Sequence, residues 1–361
     1  MISRSEFSTS YTPYQPEVSQ GTLQALFEYQ TLICQLTGME VSNAGVYDGA
    51  SATAEAVLMS RRIQPTSRRR VLMSRAVHPH YRAVVSTYLR NLEYLELEEV
   101  PFDASGATDI EQLTSRLNDQ SMCVIVGYPN FFGVIEDLAL IQKACAHSGA
   151  QLITVTPEPL SLGLLKPPGA WGSDIAVGEG QSLGVPMTLG GPGFGFFACQ
   201  KKFVRNIPGR LVGETVDTEE RRGFVLTLAT REQHIRREKA TSNICTSQTL
   251  CVLAATVFMS LLGKTGLRRL AEVNVARAHD ARDRLITQAR LEPVFSGPFF
   301  NEFVIRTRGL DNLLKRCAAE KIVPGVDLGQ WYPELKDCLL LCVTEMNERE
   351  EIDRLVRAIA A

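Results

Sequence analysis

A glycine-rich loop between two short apolar runs is the stretch of this sequence best suited to chemistry. The segment from Trp171 to Cys199 reads WGSDIAVGEGQSLGVPMTLGGPGFGFFAC, with strand-like runs at 174–177 and 194–199. Glycines let a backbone turn sharply and approach a ligand or a neighbouring strand closely. We therefore predict that this loop lies at a functional site.

The same loop carries no lysine. In pyridoxal phosphate enzymes built on an α/β scaffold, the cofactor-binding lysine lies on such a loop, after an Asp-containing strand and before a Gly-Gly-Pro-Gly turn. Here Gln181 stands in that position, and no lysine lies between Lys166 and Lys201. An amide nitrogen cannot form a Schiff base because its lone pair is delocalised. The sequence therefore predicts a cofactor-shaped cleft that cannot hold pyridoxal phosphate covalently.

A second candidate is the turn DGASAT at 48–53, which leads into a predicted helix. Asp48 or Ser51 can cap that helix, and Gly49 and Ala50 are small enough to leave backbone N–H groups free at the positive end of its dipole. Such an end can hold a phosphate group. The simpler interpretation is a plain capped helix, and we favour it because the glycine-rich loop lacks the lysine.

Two predicted strand ends carry further polar groups. His78 follows the first strand of an alternating region, where its imidazole could stack over a cofactor ring or cap a local turn. His78 and His80 could also form a metal pair, but no third ligand suggests itself, so we predict no metal site. After the strand at 151–155, a pyridoxal enzyme needs a carboxylate to keep the pyridine nitrogen protonated. That position matches Thr156, while Glu158 lies between prolines, so this carboxylate is also predicted to be missing.

Strands and helices alternate through the first two thirds of the chain. The predicted elements are helices at 17–36, 49–62, 79–89, 110–117 and 135–147, and strands at 71–74, 92–97, 122–127 and 151–155. Strands separated by helices of this length indicate βαβ units and a mainly parallel sheet. Functional loops are then expected at the carboxyl ends of the strands.

The last third has a different pattern. An apolar helix at 246–262 and a charged helix at 265–287 are followed by strands at 302–307 and 339–343 and helices at 310–320 and 347–360. We predict an α/β large domain at 1–262 and a small α+β domain at 263–361, with the boundary near Gly263.

Two polar segments are candidates for an interface. The loop at 11–16 carries two tyrosines and two prolines, and 231–243 is predicted to be a charged helix that runs into a polar turn. The arginines and the lysine of the second segment could face an anion, but Glu232 and Glu238 can pair with them. The loop at 11–16 is more typical of a packing or interface element than of a catalytic site, whereas 231–243 leaves open both an anion-facing surface and a solvated or interface face.

Composition excludes several classes of protein. A net charge of -2 gives no reason to expect a nucleic acid or an anionic membrane as partner. Nine cysteines, an odd number without a C-x-x-C pair, indicate reduced thiols and a cytoplasmic location. The N-terminus has no apolar core of a signal peptide, and no uninterrupted apolar run reaches about 18 residues, so we predict no membrane span.

Four long strings resemble one known family. They are Thr12–Gly21, Tyr47–Ala50, Gly190–Gly195 and His234–Thr246. Almost the whole chain is similar to the P-protein of the glycine cleavage system, in the split form of glycine decarboxylase whose α subunit lacks the cofactor lysine. The resemblance implies the fold of fold-type I pyridoxal phosphate enzymes, with a large domain around a mainly parallel, seven-stranded-type sheet.

The resemblance also implies a division of labour between two chains in a heterotetramer. A homologous β subunit is expected to hold pyridoxal phosphate on its lysine, so this chain is not expected to be active alone. Together they would decarboxylate glycine and pass the aminomethyl group to the lipoyl arm of the H-protein. Loops of this chain would complete the partner's site, and the residues expected to do so are Tyr11, Tyr14, Gln15, His234 and Asn243.

Two other readings of the sequence remain open. The chain could be a structural or regulatory pseudo-enzyme that stabilises the β subunit, or an independent enzyme that uses 48–53 to cradle a phosphate ligand. Family members also carry a further N-terminal segment before the stretch that matches 3–7. Because such segments often wrap the partner, we expect the strength of the subunit interface to depend on it.

Overall fold

The structure is a computed structural model, and it describes residues 2–360. The helices of this range are α1 (Gln20–Thr37), α2 (Gly49–Ile63), α3 (Pro79–Leu89), α4 (Ile110–Arg116), α5 (Leu138–Ser148), α6 (Gln233–Arg236), α7 (Thr249–Thr287), α8 (Leu310–Ala319) and α9 (Arg349–Ala360). Its strands are β1 (Val41–Ser42), β2 (Arg70–Ser74), β3 (Glu96–Val100), β4 (Ser121–Gly127), β5 (Gln151–Thr156), β6 (Ile175–Glu179), β7 (Gly195–Cys199), β8 (Leu211–Val216), β9 (Arg222–Thr227), β10 (Glu292–Pro293), β11 (Glu302–Arg306), β12 (Val326–Asp327) and β13 (Cys338–Cys342).

A seven-stranded sheet forms the centre of the large domain, in the order β1-β7-β6-β5-β4-β2-β3. The strands from β6 to β3 run parallel, whereas β7 is antiparallel to β6 and β1 is antiparallel to β7. Every residue of β4 and β5 is buried. A parallel sheet with both faces covered by helices has this burial, so the predicted α/β class and the mainly parallel sheet are confirmed.

The C-terminal part forms a smaller layer of helices on an antiparallel sheet, in the order β10-β11-β13-β12. One face of β11 and β13 packs against α8 and α9, and the shared core includes Phe303, Ile305, Leu339 and Leu341. This agrees with the predicted α+β unit.

Helix α7 connects the two parts of the molecule. Its first half contributes Val252 and Ala255 to a core beneath the large sheet, and its second half contributes Ala278 and Leu285 to the core of the small domain. Between them Gly263 has non-helical angles, with φ 57° and ψ -174°. The predicted boundary at 262 and 263 coincides with this break and stays a prediction.

By length and composition, α7 is also the one helix among residues 2–360 that could cross a membrane. A window of 18 residues has a mean hydropathy of 1.7, and 33% of that window is buried. No uninterrupted apolar run of this length occurs, but the small residues and threonines within α7 lower its average hydropathy little. Core helices of soluble proteins have the same composition, so the absence of a membrane partner stays a prediction.

The two domains are held together by close contacts at several points. The Phe300 N–H donates to the Gly133 carbonyl at 3.2 Å, and a Cβ placed on Gly133 would overlap the carbonyl of Glu302. The Arg75 guanidinium pairs with Glu334 at 2.7 Å, and the Tyr332 hydroxyl donates to the Arg75 carbonyl at 2.8 Å. The loops that follow β2 and β4 of the large sheet therefore pack directly against the small domain.

Two stretches differ from the sequence prediction. The charged helix expected at 231–243 is α-helical only in α6, because Arg237 takes φ 51° and ψ -121° and the chain then extends. The strand expected at 92–97 is β3, which begins at Glu96, since Leu92 and Leu95 continue the end of α3 as hydrogen-bonded turns. In addition, β8 and β9 form a hairpin within a region that carried no clear pattern.

Candidate functional site

The end of β6 places a carboxylate against the start of α2. Glu179, the last residue of β6, accepts the Gly49 N–H at 3.0 Å through Oε2 and the Phe194 N–H at 3.2 Å through Oε1. The first contact joins residues 130 positions apart in sequence. We call the region formed by Asp48, Gly49, Glu179 and Phe194 the Glu179 cleft, and sequence reasoning did not identify Glu179.

The start of α2 is capped within the chain. Asp48 accepts the Ser51 N–H at 2.7 Å and the Ser51 hydroxyl at 3.3 Å, and the Thr53 hydroxyl donates to the Gly49 carbonyl at 2.8 Å. The capped-helix interpretation is confirmed, with Asp48 rather than Ser51 as the cap. Ala50 follows Gly49 as a half-buried residue of the first turn. The N–H groups of Gly49 and Ser51 are therefore engaged by carboxylates.

The Glu179 cleft is negatively charged and poorly hydrated. Burial raises the pKa of the Glu179 carboxyl, and the Asp48 carboxylate raises it further, while the N–H of Gly49 lowers it. The buried Tyr81 ring brings its hydroxyl against Gly49, and burial together with the Glu179 charge holds the pKa of Tyr81 well above its usual range. An anion entering this cleft would meet two carboxylates and no described cation in contact with them.

Aromatic rings fill the space beneath the glycine-rich loop. A Cβ on Gly180 would overlap the ring of Phe194, and a Cβ on Gly178 would overlap the ring of Phe196 and the carbonyl of Thr156. The glycines of this loop therefore allow close packing of the chain on itself. Gln181, at the predicted lysine position, lies just beyond β6 with a half-buried side chain and accepts the Val185 N–H through its carbonyl at 3.0 Å.

Thr156, at the end of β5, is the residue predicted at the position where a pyridoxal enzyme needs a carboxylate for its pyridine nitrogen. Thr156 is fully buried, and its hydroxyl has no hydrogen-bond partner among residues 2–360. Glu158 is engaged elsewhere, since it accepts the Ser182 hydroxyl at 2.7 Å and the Leu160 N–H at 3.0 Å. Burial and the Glu158 carboxylate raise the pKa of Glu302, on the facing strand β11, to about 8. Two buried carboxyl groups therefore lie near each other between the domains, and Glu302 holds its proton at pH 7.

His78 caps the start of α3, which is one of its two predicted roles. Its Nδ1 accepts the His80 N–H at 3.2 Å, which caps α3. The ring packs edge-on against Phe131 with centroids 4.6 Å apart and lies 5.2 Å from the Tyr81 ring. Burial lowers the pKa of His78 to about 4, so the ring is neutral at pH 7. The structure shows the cap, whereas stacking over a cofactor ring stays a prediction. Among residues 2–360, no group of side chains is able to hold a metal ion.

A second cluster lies on the surface, where two predicted interface segments meet. The Tyr14 hydroxyl donates to the Cys245 carbonyl at 3.1 Å, and the Arg210 guanidinium carbon lies 3.5 Å from the centre of the Tyr14 ring. The His234 ring lies edge-on to Tyr14, with centroids 6.3 Å apart. Together with Glu232, these residues line a cavity of about 430 Å³. We call this cluster the Tyr14 face.

The other predicted interface residues are close by in the chain but make fewer contacts. Tyr11 is 57% exposed and lines an adjoining cavity of about 450 Å³, which it shares with Tyr14 and Arg210. Gln15 is exposed in a turn, where its N–H donates to the Thr12 carbonyl at 3.0 Å. Asn243 is also exposed, and no hydrogen bond joins it to the Tyr14 face.

Beside the Tyr14 face, the chain projects a basic segment. Every residue from Gln233 to Lys239 is exposed, and three of them are arginine or lysine against one glutamate. One Glu232 oxygen is buried without a hydrogen-bond partner among the described residues. Arg210 and Glu232 thus belong to this surface, and sequence reasoning named neither as a site residue. The sequence offered no signal for Arg210, because only the fold brings it against the tyrosine loop at 11–16.

Comparison with known proteins decides the family. Residues 1–359 match the sequence profile of the glycine cleavage system P-protein. This chain belongs to the glycine cleavage system P-protein family. A protein named glycine dehydrogenase (decarboxylating) subunit 1 from Anoxybacillus flavithermus is 51% identical to this P-protein family member over 360 residues, covering 99% of this chain and 79% of the relative.

Solved structures agree with the P-protein assignment. A crystal structure of glycine decarboxylase (P-protein) of the glycine cleavage system, in inhibitor-bound form, aligns with a TM-score of 0.92 and 44% identity, covering 99% of this chain and 80% of that one. An Escherichia coli cysteine desulfurase has a TM-score of 0.70 at 14% identity, covering 98% of this chain and 87% of that one. The predicted fold-type I architecture is confirmed by these neighbours, which are pyridoxal phosphate enzymes.

The residues of this P-protein chain do not fit that cofactor. Gln181 stands at the position predicted for the lysine that would hold the aldehyde, and Thr156 at the position predicted for the carboxylate that would pair with the pyridine nitrogen. At the start of α2, where a phosphate would be bound by N–H groups, Gly49 donates to Glu179 instead. At the predicted positions, residues 2–360 thus offer neither a lysine nor a carboxylate, and the N–H of Gly49 is already occupied.

Proposed function

We propose that this chain is the lysine-free subunit of a glycine decarboxylase in the glycine cleavage system. It would work with a homologous β subunit that holds pyridoxal phosphate, the group that withdraws electrons from bound glycine as carbon dioxide leaves. The observation that supports this most directly is the Glu179 cleft, where the Glu179 carboxylate occupies the N–H of Gly49 that would otherwise be free to bind a phosphate. A chain of this family that cannot hold the cofactor requires a partner that does.

The Tyr14 face is the surface that we propose to complete the partner's site. It is open, rich in aromatic and cationic groups, and close to the exposed basic segment at 233–239. The Arg210 guanidinium packs on the Tyr14 ring and also donates through Nε to the Cys245 carbonyl at 2.8 Å, so the tyrosine is held in one orientation. Tyr11, Gln15 and Asn243 would extend this surface.

The substrate places a demand on such a site. Glycine has no side chain to grip, so a pocket can select it only by excluding larger amino acids. Walls supplied by two subunits meet that demand, because each chain closes one side. We propose that the product aminomethyl group then passes to the lipoyl arm of the H-protein, and that the assembly is a cytoplasmic heterotetramer. The nine cysteines, all unpaired in the structure, are consistent with a reducing compartment.

The test is the exchange of the glycine carboxyl group with labelled carbon dioxide. This chain alone should show no exchange, and the chain mixed with its lysine-bearing β subunit and lipoyl H-protein should restore it. Exchange by the isolated chain would refute the proposal. Covalent reduction of pyridoxal phosphate onto this chain by borohydride would refute it equally.

A purely structural subunit is the alternative, and the self-filled Glu179 cleft is compatible with it. Alanine substitutions at Tyr14, His234 and Asn243 separate the two. If the mixed subunits still assemble, measured by size-exclusion chromatography, and turnover is unchanged, the chain is a scaffold. A fall in turnover with intact assembly supports a direct contribution to the partner's site.

A further inference from the structure

We propose that the Glu179 carboxylate is an internal anion that occupies the phosphate position at the start of α2 and excludes phosphate-bearing ligands from this cleft. This deepens the proposed function, on which it rests, because it adds a second barrier to the missing lysine. The lost lysine prevents covalent attachment, whereas Glu179 would prevent even reversible binding of a phosphate group.

The geometry around Glu179 is that of a bound anion. One carboxylate oxygen accepts the Gly49 N–H of the helix, and the other accepts the Phe194 N–H of the glycine-rich loop, at 3.0 and 3.2 Å. A Cβ on Gly193 would lie 2.9 Å from Oε1, so a glycine at 193 lets the loop close over the carboxylate. Backbone N–H groups from a helix start and a glycine loop are the donors that hold phosphates in other proteins.

Helix capping alone does not account for this arrangement. Asp48 already caps α2 by accepting the Ser51 N–H at 2.7 Å. Glu179 adds a second negative charge close to the first, and the Asp48 charge disfavours its ionisation. Placing two carboxylates together in a buried site is costly unless they have partners. A purely structural cap would not need the second one, whereas exclusion of a dianion is strengthened by it.

Charge repulsion by the two carboxylates and the occupation of the N–H donors by Glu179 both oppose the binding of a phosphate. A phosphate entering the cleft would have to displace Glu179 from two N–H donors and then lie beside the Asp48 carboxylate. Glu179 is partly buried, so the charges are less screened than on the surface. Removing the Glu179 side chain would free both donors and remove one of the two charges.

The experiment compares phosphate binding by the isolated full chain and by its Glu179→Ala variant. Thermal unfolding is measured in inorganic phosphate and in sodium chloride of equal ionic strength. The parent chain should show no phosphate-specific shift. The variant should show a midpoint raised by at least about 2 °C once phosphate reaches about ten times its dissociation constant. An equal shift in both proteins, or none in the variant, would overturn the proposal.

Two further variants guard the interpretation. Glu158→Gln removes another buried carboxylate at the next strand end, one that does not contact Gly49, and it should behave as the parent chain. If Glu179→Ala does not fold, judged by circular dichroism, Glu179→Gln replaces it, because the amide keeps the volume and one acceptor oxygen. That variant should show a smaller phosphate shift that the parent chain lacks, and its absence counts against the proposal.

A third comparison uses the cofactor itself. Gln181→Lys is compared with Gln181→Lys combined with Glu179→Ala, and borohydride-trapped pyridoxyl phosphate is measured by mass spectrometry. The double variant should trap at least about tenfold more, a difference of the size expected for one charge-assisted contact. Equal trapping, including none in either protein, contradicts the proposal. None of these measurements involves glycine or a partner, so their failure leaves the exchange assay, and with it the proposed function, to be judged separately.

Discussion

The Glu179 cleft and the Tyr14 face lie on the same molecule but have opposite character. In the cleft, the chain's carboxylates occupy its N–H donors and its phenylalanine rings fill the space under the loop. On the Tyr14 face, the rings of Tyr14 and His234 are exposed around two adjoining cavities, while Arg210 is largely covered and lies 4.0 Å from Glu232. The contrast fits the proposed division of labour, in which the cleft holds no ligand of its own and the Tyr14 face serves a second subunit.

Substitution of Arg210, on the Tyr14 face, is expected to have the largest effect on glycine exchange by the mixed subunits. Arg210→Ala removes the group that packs on the Tyr14 ring and bonds the Cys245 carbonyl. If the Tyr14 face completes the partner's site, loss of this orientation should lower glycine exchange by the mixed subunits by about 100-fold, the scale seen when a positioning contact is lost. Exchange rates and size-exclusion profiles of the mixture provide the measurement.

The matched control is Arg222→Ala. Arg222 is also an arginine over an aromatic ring, 5.0 Å from the centre of Phe224, and pairs with Glu214 on the hairpin. It does not touch Tyr14 and should leave exchange within about twofold of the parent, as expected for an exposed pair. Equal losses in both variants would mean that the Tyr14 face has no special part in the reaction.

The pH dependence of stability tests whether the buried Glu302 carboxyl is protonated in the folded protein. Its pKa, raised to about 8 by burial and by Glu158, lies above the value of an unfolded glutamate near 4.5. The folded state therefore holds the proton more tightly, and this contribution to stability is fully present below about pH 4.5 and lost as pH rises through about 8. Between pH 5 and pH 8, the free energy of unfolding of the Glu302→Gln variant should fall by at least about 1 kcal/mol less than that of the parent chain.

The measurement is urea unfolding of both proteins across that pH range, followed by circular dichroism. Because other carboxyls titrate as well, the quantity to compare is the difference between the two proteins at each pH. A constant difference from pH 5 to pH 8 would show that Glu302 is not held protonated in the cleft.

The smallest expected effect concerns the cap of α2. Asp48→Ala removes the acceptor for the Ser51 N–H and should lower the free energy of unfolding by about 1 kcal/mol, whereas Asp48→Asn keeps an acceptor oxygen and should cost much less. Denaturant unfolding of the two variants gives the values. If Asp48→Asn is as damaging as Asp48→Ala, the negative charge rather than the cap matters at this position.

Local patterns in the sequence predicted much of the large domain. Proline at the first position of α3 fixed its start, and the predicted bounds at 79–89 agree with the structure. The strands at 122–127 and 151–155 were recognisable as apolar runs between helices. The absence of a lysine at position 181 was read directly from the sequence of the glycine-rich loop. These features depend on neighbouring residues and need no knowledge of the rest of the chain.

The features that sequence reasoning missed depend on distant contacts. Glu179 reads as an ordinary strand residue until the parallel sheet brings the start of α2 beside it. Arg210 acquires its role only when the loop at 11–16 folds over it, and the β8–β9 hairpin lies where turn signals and charges overlap. The sequence left two roles open for His78, because the packing of its ring depends on Phe131, which follows a different strand.

The tight contact of Gly133 with the carbonyl of Glu302 has a mechanical consequence. With no room for even a methyl group between the loop at Gly133 and the start of β11, the two domains cannot move closer together at that point. A second subunit that pressed them together would have to shift one of these two backbone segments.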